Sequence, residues 1–446
     1  MSAEILAALV DPGARSEVAP AELVEAVYAR IDRVEGQVNA LVSRTEAIAA
    51  ADGERVAAAR RAGLPLALDG LPIVVKDNID AAGTVTTVGT RALARPPAVR
   101  DAVALERLRR AGAILVGKAQ LHELIYGATT DNAVFGACRN PWDLDRIPGG
   151  SSGGSGAALA ADYCGGALGT DTGGSVRVPA ALCGVTALRP TFGAVPTAGV
   201  FPISAMLDTV GPMARDATTV GALLAALTGG DGGAGAPRGI AGVRIAVAQG
   251  FFAETVEPAV RAAVAEAVDV LRERGAIVSE IELPGAAAAG DAVTTISRAE
   301  ALALHAARVR DAPETISPDV LARLRLGQQV SGVDLARALQ TARDWRAELD
   351  GAFARVDVVL SPTATATAPL IAGTETTRTT AELTRLTYPW SLAGVPAITL
   401  PCGLSEGLPI GLQLAAPAWH EQRLLAIGVE FQAHTGWHRL RPPLAS

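Results

Sequence analysis

The sequence RIPGGSSGGSGAALAADYCGGALGTDTGGSVRVPAALCGV, residues 146–185, concentrates glycine and serine to an unusual degree. A flexible linker can have this composition, but a predicted Ala-rich helix (156–163) and a predicted strand (167–171) interrupt the segment. The glycines therefore fall in two short turns beside regular elements, where glycine permits positive φ and lets backbone N–H groups approach a ligand. These two turns are the first candidates for a functional site.

Helix and strand patterns around this segment predict an α/β protein with a mixed, largely parallel sheet. LPIVVKDN (71–78) predicts a buried strand with Lys76 at its carboxyl end. Residues 101–120 predict helix, glycine and strand, and residues 242–284 predict a strand–helix–strand unit with a right-handed crossover. The remaining predictions are amphipathic helices in 18–63, consecutive helices in 295–352, and strands at 356–364 and 396–404.

Charge and hydropathy favour a small or neutral partner and a cytoplasmic location. The formal net charge is -7, which argues against nucleic acid or an anionic membrane surface as the partner. Two charge-free stretches, 190–207 and 386–405, are long enough to span a bilayer, but each holds three prolines that would break a transmembrane helix. The N-terminus has an acid at Glu4 and no basic start before an apolar run, so we expect no secretory signal.

Cysteine and histidine spacing predicts neither a disulfide nor a metal site. The cysteines stand far apart without a C-x-x-C pair, so we expect them to be small core residues. The histidines show no H-E-x-x-H or comparable spacing, and we expect no metal and no cofactor. The residues concerned are Cys138, Cys164, Cys183, Cys402, His122, His305, His420, His434 and His438.

Lysine is rare, since the chain has only Lys76 and Lys118 beside 37 arginines. Arginine can replace lysine as a surface cation but cannot lose its proton, so a site that needs a neutral amine must keep lysine. A genomic preference for arginine with two accidental lysines explains the count equally well. We expect Lys118 to be a solvated cation at the end of a strand, without a catalytic role.

Both glycine-serine turns match the hallmarks of a known family. G-G-S-S-G-G-S stands at 149–155 and G-G-S at 173–175, accompanied by VVKDNID, RNPWDLDRIPGG, LDTVGPMARD and GLPIGLQL. The chain thus resembles the amidase-signature family over nearly its whole length. The resemblance implies the amidase-signature fold, with one large mixed, mostly parallel β-sheet covered by helices on both faces. It further implies one catalytic domain over residues 1–446, with a core motif region at 71–215, a glycine-rich loop at 229–238 and a helical cap-like region at about 295–352.

The resemblance also implies a catalytic triad and a covalent acyl-enzyme. Ser175 would be the nucleophile, Ser151 a bridging serine whose peptide bond is cis, and Lys76 the ultimate base. The chemistry is consistent, because a serine hydroxyl is a poor nucleophile until a neighbour takes its proton, and a desolvated lysine can take it. Ser151 would relay this proton and return it to the leaving nitrogen, which amide cleavage requires.

Supporting groups are implied around the nucleophile. Ser152 would be a hydrogen-bond donor behind the triad, and Asp171 and Arg177 would pair to brace the turn, the alternative being an ordinary surface ion pair. Backbone N–H groups would hold the oxyanion, because glycines leave their amides unshielded. The residues that would contribute them are Thr172, Gly173, Gly174 and Ser175.

The substrate is expected to be a small uncharged molecule. Residues 121–130 lie in the family region that approaches the acyl pocket, so Tyr126 and Thr129 are candidate contacts, although a core position for Tyr126 is equally compatible. The segment around Tyr388 and Trp390 would cover the entrance together with the helical region. These segments carry no obvious carboxylate-binding cluster, which favours an amide, aryl amide, hydrazide or carbamate (urethane) over a dicarboxylic amide.

Other interpretations remain open. The glutaminase subunit of a tRNA-dependent amidotransferase shares the triad and RNPWDLDRIPGGSSGGS, but this chain is shorter than such subunits and its GVTALRPTFG departs from their G-L-K-P-T. A non-catalytic binding protein with this fold is a second alternative, and a homodimer is compatible with the sequence. A nucleophile elbow at 150–154, with Ser152, His434 and Asp357, matches weakly because no predicted strand directly precedes it.

Overall fold

The computed structural model describes residues 2–91, 93, 95–230 and 239–444. The strands are β1 (Leu41–Arg44), β2 (Pro72–Lys76), β3 (Ile114–Ala119), β4 (Asp131–Asn132), β5 (Gly136–Ala137), β6 (Gly166–Asp171), β7 (Thr186–Arg189), β8 (Thr209–Ala214), β9 (Arg244–Ala248), β10 (Ile277–Ile281), β11 (Val358–Pro362), β12 (Ala397–Ser405) and β13 (Leu408–Ala415). The α-helices are α1 (Ala3–Val10), α2 (Pro12–Glu17), α3 (Pro20–Val38), α4 (Glu46–Arg61), α5 (Val103–Arg110), α6 (Gly153–Ala160), α7 (Arg177–Cys183), α8 (Ala217–Thr228), α9 (Pro258–Glu273), α10 (Ala286–Asp311), α11 (Pro318–Arg325), α12 (Gly332–Phe353), α13 (Thr376–Thr384), α14 (Tyr388–Ala393) and α15 (Glu421–Ala433).

Eleven of these strands form one mixed sheet, as predicted. Their order is β1-β3-β2-β6-β8-β7-β12-β13-β11-β9-β10, while β4 and β5 pair separately. Within the described residues, four of the ten neighbouring pairs in the large sheet are parallel and six are antiparallel. The antiparallel share is larger than the sequence pattern indicated. Antiparallel neighbours such as β12 and β13 are joined by a tight turn. They lack the crossover helix from which a parallel pair of strands can be predicted in the sequence.

The elements predicted around the glycine-serine segment are confirmed. The predicted strand at 71–78 is β2, residues 101–120 form α5 and β3, and residues 242–284 form β9, α9 and β10, with β9 and β10 parallel. The consecutive helices predicted in 295–352 are α10 to α12. The helix expected at 156–163 is α6, which begins at Gly153.

Strand β2 separates two hydrophobic cores. Ile73 and Val75 pack into one cluster of buried side chains and Val74 into the other. Successive side chains of a strand point to opposite faces, so the sheet is covered on both faces, as expected from the resemblance. Helices α5, α8 and α9 contribute to the first core, and α3 and α6 to the second.

The central parallel strands bring the candidate residues to one edge of the sheet. Strand β2 pairs in parallel with both β3 and β6, with Val75 opposite Leu168 of β6. The carboxyl ends of parallel strands meet at the same edge. Lys76, the last residue of β2, therefore lies next to the end of β6, where Asp171 leads into the second glycine-serine turn.

The structure also bears on the expectations for the cysteines, the glycine-rich loop, membrane-spanning helices and metal sites. The four cysteines are free and buried, as predicted. Of the predicted glycine-rich loop, residues 231–238 lie outside the described residues. In the described part of the chain, no helix combines the length and apolar character needed to cross a membrane, and no three His, Cys, Asp or Glu side chains are grouped as a metal site would require.

Candidate active site

Lys76 lies fully buried at the end of β2 and contacts a serine of the first turn. Its Nζ is 2.8 Å from Ser151 Oγ, 2.9 Å from Thr170 Oγ1 and 3.4 Å from the Thr170 carbonyl oxygen. Burial lowers the pKa of Lys76 from 10.5 to about 7, against the opposing attraction of Asp208 and Asp171. A large fraction of this amine is therefore neutral near pH 7 and able to accept a proton.

The first turn contains Ser151, and the peptide bond between Gly150 and Ser151 is cis. Ser151 is buried, and its carbonyl oxygen accepts a hydrogen bond from the backbone N–H of His122 at 3.2 Å. The next residue, Ser152, donates its backbone N–H to the carbonyl of Ser175 at 3.1 Å. This bond joins the two glycine-serine turns directly.

Ser175 occupies the second turn, between β6 and α7, and is partly exposed to a pocket. Of the four residues expected to hold an oxyanion, Gly174 does not have a free amide, because its N–H donates to Asp171 Oδ1 at 2.7 Å. The N–H groups of Thr172, Gly173 and Ser175 have no acceptor among the described residues. Thr172, Gly173 and Ser175 also line the pocket, whereas Gly174 serves to hold the turn.

A buried carboxylate braces this turn. Arg177 makes a two-pronged contact with Asp171, from Nε to Oδ2 and from Nη2 to Oδ1, each at 3.0 Å. Arg189 adds a third bond from Nη1 to Asp171 Oδ1 at 3.0 Å. Burial alone would raise the pKa of Asp171, but the two guanidinium groups hold it well below its usual range. The pair is fully buried and is therefore not the surface ion pair considered above.

Sequence reasoning missed three residues around the triad. Thr170, one residue before Asp171 on β6, contacts Lys76, and its hydroxyl also accepts a hydrogen bond from Asn78 Nδ2 at 3.3 Å. Asp208 accepts a bond from Thr172 Oγ1 at 2.5 Å. Thr170 lies in the strand predicted at 167–171, and its carbonyl accepts a hydrogen bond from the Ser152 hydroxyl at 3.2 Å. Asp208 lies in the motif LDTVGPMARD and Arg189 in GVTALRPTFG, but no local pattern indicates that these distant segments reach the turn.

The pocket in front of Ser175 is narrow, about 40 Å³. Tyr126, a predicted substrate contact, lines this pocket, and burial raises the pKa of its hydroxyl to about 12. Thr129, the other predicted contact, is not among the residues that line this pocket. It is fully buried, and its hydroxyl lies 3.1 Å from His122 Nδ1. The lining residues are Ile125, Tyr126, Gly127, Ala128, Thr172, Gly173, Ser175, Ile203, Val293, Ser297, Arg323, Thr380, Thr384 and Tyr388.

Arg323 gives the pocket a positive charge that the sequence pattern did not indicate. Its guanidinium lies 4.7 Å from the ring centre of Tyr126 and donates to Thr380 Oγ1 at 2.6 Å. In the described part of the chain, no Asp or Glu lies within ion-pairing distance of it. The helical region thus contributes one buried cation to this pocket. Arg323 was missed because Arg325 stands two residues away, and only the fold selects which of the two is buried.

Two further expectations require correction. Lys118 is fully buried rather than solvated, and its Nζ lies 2.8 Å from Asp77 Oδ1 and 3.1 Å from Thr86 Oγ1. It sits inside β3, where a charge must be paired because burial removes its hydration. Trp390 is also buried, stacked 5.1 Å from the Phe252 ring, so only Tyr388 of the predicted entrance pair lines the pocket.

The three residues of the nucleophile-elbow alternative do not lie together in the structure. Ser152 is buried and bonded to Thr170, while His434 is hydrogen-bonded to the Glu430 carbonyl of its own helix. Asp357 pairs with Arg244 at 2.9 Å. Each of the three groups is occupied in a different part of the fold, so they form no triad.

Comparison with known proteins supports one class. The Amidase family model matches residues 22–425. The chain is 38% identical to the glutamyl-tRNA(Gln) amidotransferase subunit of Roseiflexus sp. (strain RS-1), over 96% of each chain. It resembles a chain from a vestigial protein complex linked to the evolutionary origins of an s-triazine catabolic enzyme, with 35% identity, a TM-score of 0.89 and coverage of 94% and 96%. Native peptide amidase from Stenotrophomonas maltophilia gives 29% identity, a TM-score of 0.82 and 98% coverage of both chains.

The fold and the family match define a hydrolase that acts on carbon–nitrogen bonds other than peptide bonds. The protein belongs to the amidase-signature family. Its relatives are enzymes, which argues against the non-catalytic alternative. The Roseiflexus protein is covered over 96% of its length, so chain length does not separate this protein from amidotransferase subunits.

Proposed function

We propose that this protein hydrolyses the carbon–nitrogen bond of a small amide that carries a carboxylate, through an acyl-enzyme on Ser175. The observation that carries this proposal is the buried contact of 2.8 Å between Lys76 and Ser151, with the pKa of Lys76 lowered to about 7. A base with a pKa near the working pH is the most effective for proton transfer. The partly exposed Ser175 is the serine positioned to meet a substrate in the pocket.

In the proposed reaction, neutral Lys76 takes a proton from Ser151, which takes the proton of Ser175 as its oxygen attacks the acyl carbon. The free N–H groups of Thr172, Gly173 and Ser175 stabilise the oxyanion; losing one such donor costs about 100-fold in rate or more. The proton then returns through Ser151 to the leaving nitrogen, and the carbon–nitrogen bond breaks. Water hydrolyses the acyl-serine by the same relay, releasing an acid and restoring Ser175.

The position and charge of Arg323 favour a substrate that carries a carboxylate. Arg323 lies in the same pocket as Ser175, is only 9% exposed and has no acidic partner in the described residues. A guanidinium presents donors that match a carboxylate in a two-pronged arrangement. We propose that Arg323 holds a carboxylate at the far end of the acyl group, and this replaces the expectation of an uncharged substrate. Carbamate or ester cleavage by the same acyl-enzyme remains a secondary activity to test.

A second candidate function is that of a glutaminase subunit. It is favoured by the 38% identity to the Roseiflexus amidotransferase subunit over 96% of both chains. Glutamine also carries a carboxylate beyond its amide, so Arg323 fits this substrate too. The two candidates share their acyl-enzyme chemistry and differ in whether the chain is active alone or needs a protein partner.

The test compares amides that differ only in charge. The purified chain is incubated with succinamate, its neutral counterpart butyramide, glutamine and a nitrophenyl carbamate, and ammonia or nitrophenol release is followed. Ser175→Ala and Lys76→Ala should abolish turnover. Arg323→Gln should raise KM for succinamate at least about tenfold and leave butyramide unchanged, because a charge-assisted bond contributes about 1.5–3 kcal/mol. The exposed Arg325→Gln, on the same helix, is the matched control.

Each outcome separates the candidates. Turnover of succinamate by the chain alone supports the free-standing hydrolase. Weak turnover of glutamine only, increased by a partner protein, supports the glutaminase. Absence of hydrolysis together with absence of Ser175 labelling by a fluorophosphonate would reject the acyl-enzyme itself.

A further inference from the structure

His122 is a buried histidine that the proposed chemistry does not use. Its backbone N–H donates to the carbonyl of Ser151 at 3.2 Å, which ties it to the first catalytic turn. Its ring Nδ1 lies 3.1 Å from Thr129 Oγ1, and that oxygen already accepts the N–H of Asp131 at 3.2 Å. This contact joins the ring to the Thr129 hydroxyl, which can donate to Nδ1 or accept from it according to the tautomer of the ring.

The Nε2 side of the ring faces helix α11. Nε2 lies 3.6 Å from Asp319 Oδ2, and Asp319 is in the first turn of this helix. Asp319 also accepts a hydrogen bond from Thr376 Oγ1 at 3.1 Å. Burial would raise the pKa of Asp319, but its contact with His122 holds it well below the usual range. Arg323 follows four residues later, on the same side of the helix.

The neighbouring Glu123 fixes the same helix end. Its Oε2 accepts the backbone N–H of Ser317, immediately before α11, at 3.0 Å, and also contacts the Ser317 hydroxyl. Its Oε1 accepts the hydroxyl of Thr90 at 2.6 Å. Two adjacent side chains therefore attach the start of α11 to the segment that runs beside the catalytic turn.

The His122 ring also supports the pocket wall. A Cβ added to Gly127 would lie 2.3 Å from His122 Nε2, so the ring packs directly against the backbone of this residue. Gly127 lines the pocket in front of Ser175. His122 thus lies between the catalytic turn, the pocket wall and the helix that carries Arg323.

We propose that His122 is a positioning residue which, through Asp319, fixes α11 so that Arg323 points into the acyl pocket and sets the preference for anionic substrates. The charged group in contact with its ring is Asp319 of α11, at 3.6 Å. The inference rests on the proposed function, because it assigns a role to Arg323 at that site. It assigns His122 no contact with substrate.

The test measures how well a substrate protects Ser175 against a covalent probe. A fluorophosphonate labels Ser175, and the concentration of succinamate or butyramide that halves the labelling rate is determined. Asp319→Asn changes a partly exposed carboxylate with little change in shape, so the variant should fold, and His122→Gln is the second variant. Both should raise the half-protecting concentration of succinamate about three- to tenfold. Asp319→Asn should leave that of butyramide unchanged, whereas His122→Gln also removes the ring that packs against Gly127 and should raise it by less than that of succinamate. Asp319→Glu should restore part of the loss, and the exposed Glu314→Gln just before α11 is the control.

A double-mutant cycle distinguishes positioning from general damage. In the Arg323→Gln background, Asp319→Asn should have no further effect, because its only proposed route to the substrate has been removed. Additive losses, or equal losses for succinamate and butyramide, would overturn the inference. If Ser175 is labelled but Arg323→Gln does not weaken protection by succinamate, the carboxylate role of Arg323 fails and the inference fails with it. Absence of labelling in the unaltered chain would instead reject the proposed acyl-enzyme.

Discussion

At the scale of single residues, the site depends on one amine kept without an ionic partner. Lys76 and Lys118 are both fully buried, but Lys118 is paired with Asp77 at 2.8 Å, whereas Lys76 contacts only uncharged oxygens. Desolvation therefore acts on Lys76 with little compensation and brings its pKa to about 7. The same residue type serves as a candidate base at one position and as a structural cation at the other.

The pH dependence of hydrolysis should follow Lys76. Because the neutral amine is the base, kcat/KM should rise with pH and level off above about pH 7. The Thr170 hydroxyl stabilises the charged amine by accepting its hydrogen bond, so Thr170→Val should lower this pKa and shift the rise to lower pH. Rate profiles of both proteins check this, with the exposed Thr228→Val of α8 as a control. A rise near the ordinary lysine pKa of 10.5 would contradict it.

At the scale of elements, close backbone packing positions α6 beside the sheet. The sequence pattern placed this helix at 156–163, yet it begins at Gly153. Two consecutive glycines weaken helix propensity, so local signals favour a later start. The packing requires them, since a Cβ on Gly154 would lie 2.4 Å from the backbone nitrogen of Gln120. Tertiary contact therefore decides where the helix begins.

Two glycine-to-alanine changes within helices should have opposite effects on stability. Gly154→Ala forces the Gln120 backbone away and should lower the free energy of unfolding by about 1–3 kcal/mol or more. Gly290→Ala lies in α10, where a Cβ meets no atom within 4 Å, and should raise it by about 0.5–1 kcal/mol. Urea unfolding of both variants measures the difference. A stable Gly154→Ala protein would show that α6 can move away from β3.

At the scale of the whole molecule, the sheet gathers distant segments around one site. Lys76, Asp171 and Arg189 come from strands β2, β6 and β7, and Arg323 comes from a helix far along the chain. The sheet order separates β2 from β7 by β6 and β8, so the Asp171 brace spans several strands. Removing a buried charge from this sheet should therefore change the free energy of unfolding of the whole protein.

Lys76→Met should stabilise the protein while abolishing hydrolysis. Below pH 7 the buried amine is charged in the folded chain, so the free-energy cost of its desolvation is greatest there. Between pH 7 and 10.5 the unfolded chain binds more protons than the folded chain, so wild-type stability rises with pH by at most about 1.4 kcal/mol per unit. The advantage of the variant, measured by denaturant unfolding at several pH values, should shrink across this window.

Lys118→Met provides the contrast, since it leaves Asp77 buried and unpaired. It should lower the free energy of unfolding by about 3–5 kcal/mol. Equal effects of the two substitutions would show that ion pairing does not distinguish the two lysines.

Motifs and periodicity within short stretches of sequence were sufficient to predict the family resemblance, the triad candidates and the main strand–helix units. Packing in the folded chain accounts for the burial of Lys118, for the use of the Gly174 N–H to hold the turn, and for the burial of Thr129 outside the pocket lining. It also decided which of the closely spaced arginines reaches the pocket as Arg323. These outcomes depend on groups distant in sequence that compete for the same buried space and hydrogen bonds, which no local pattern records.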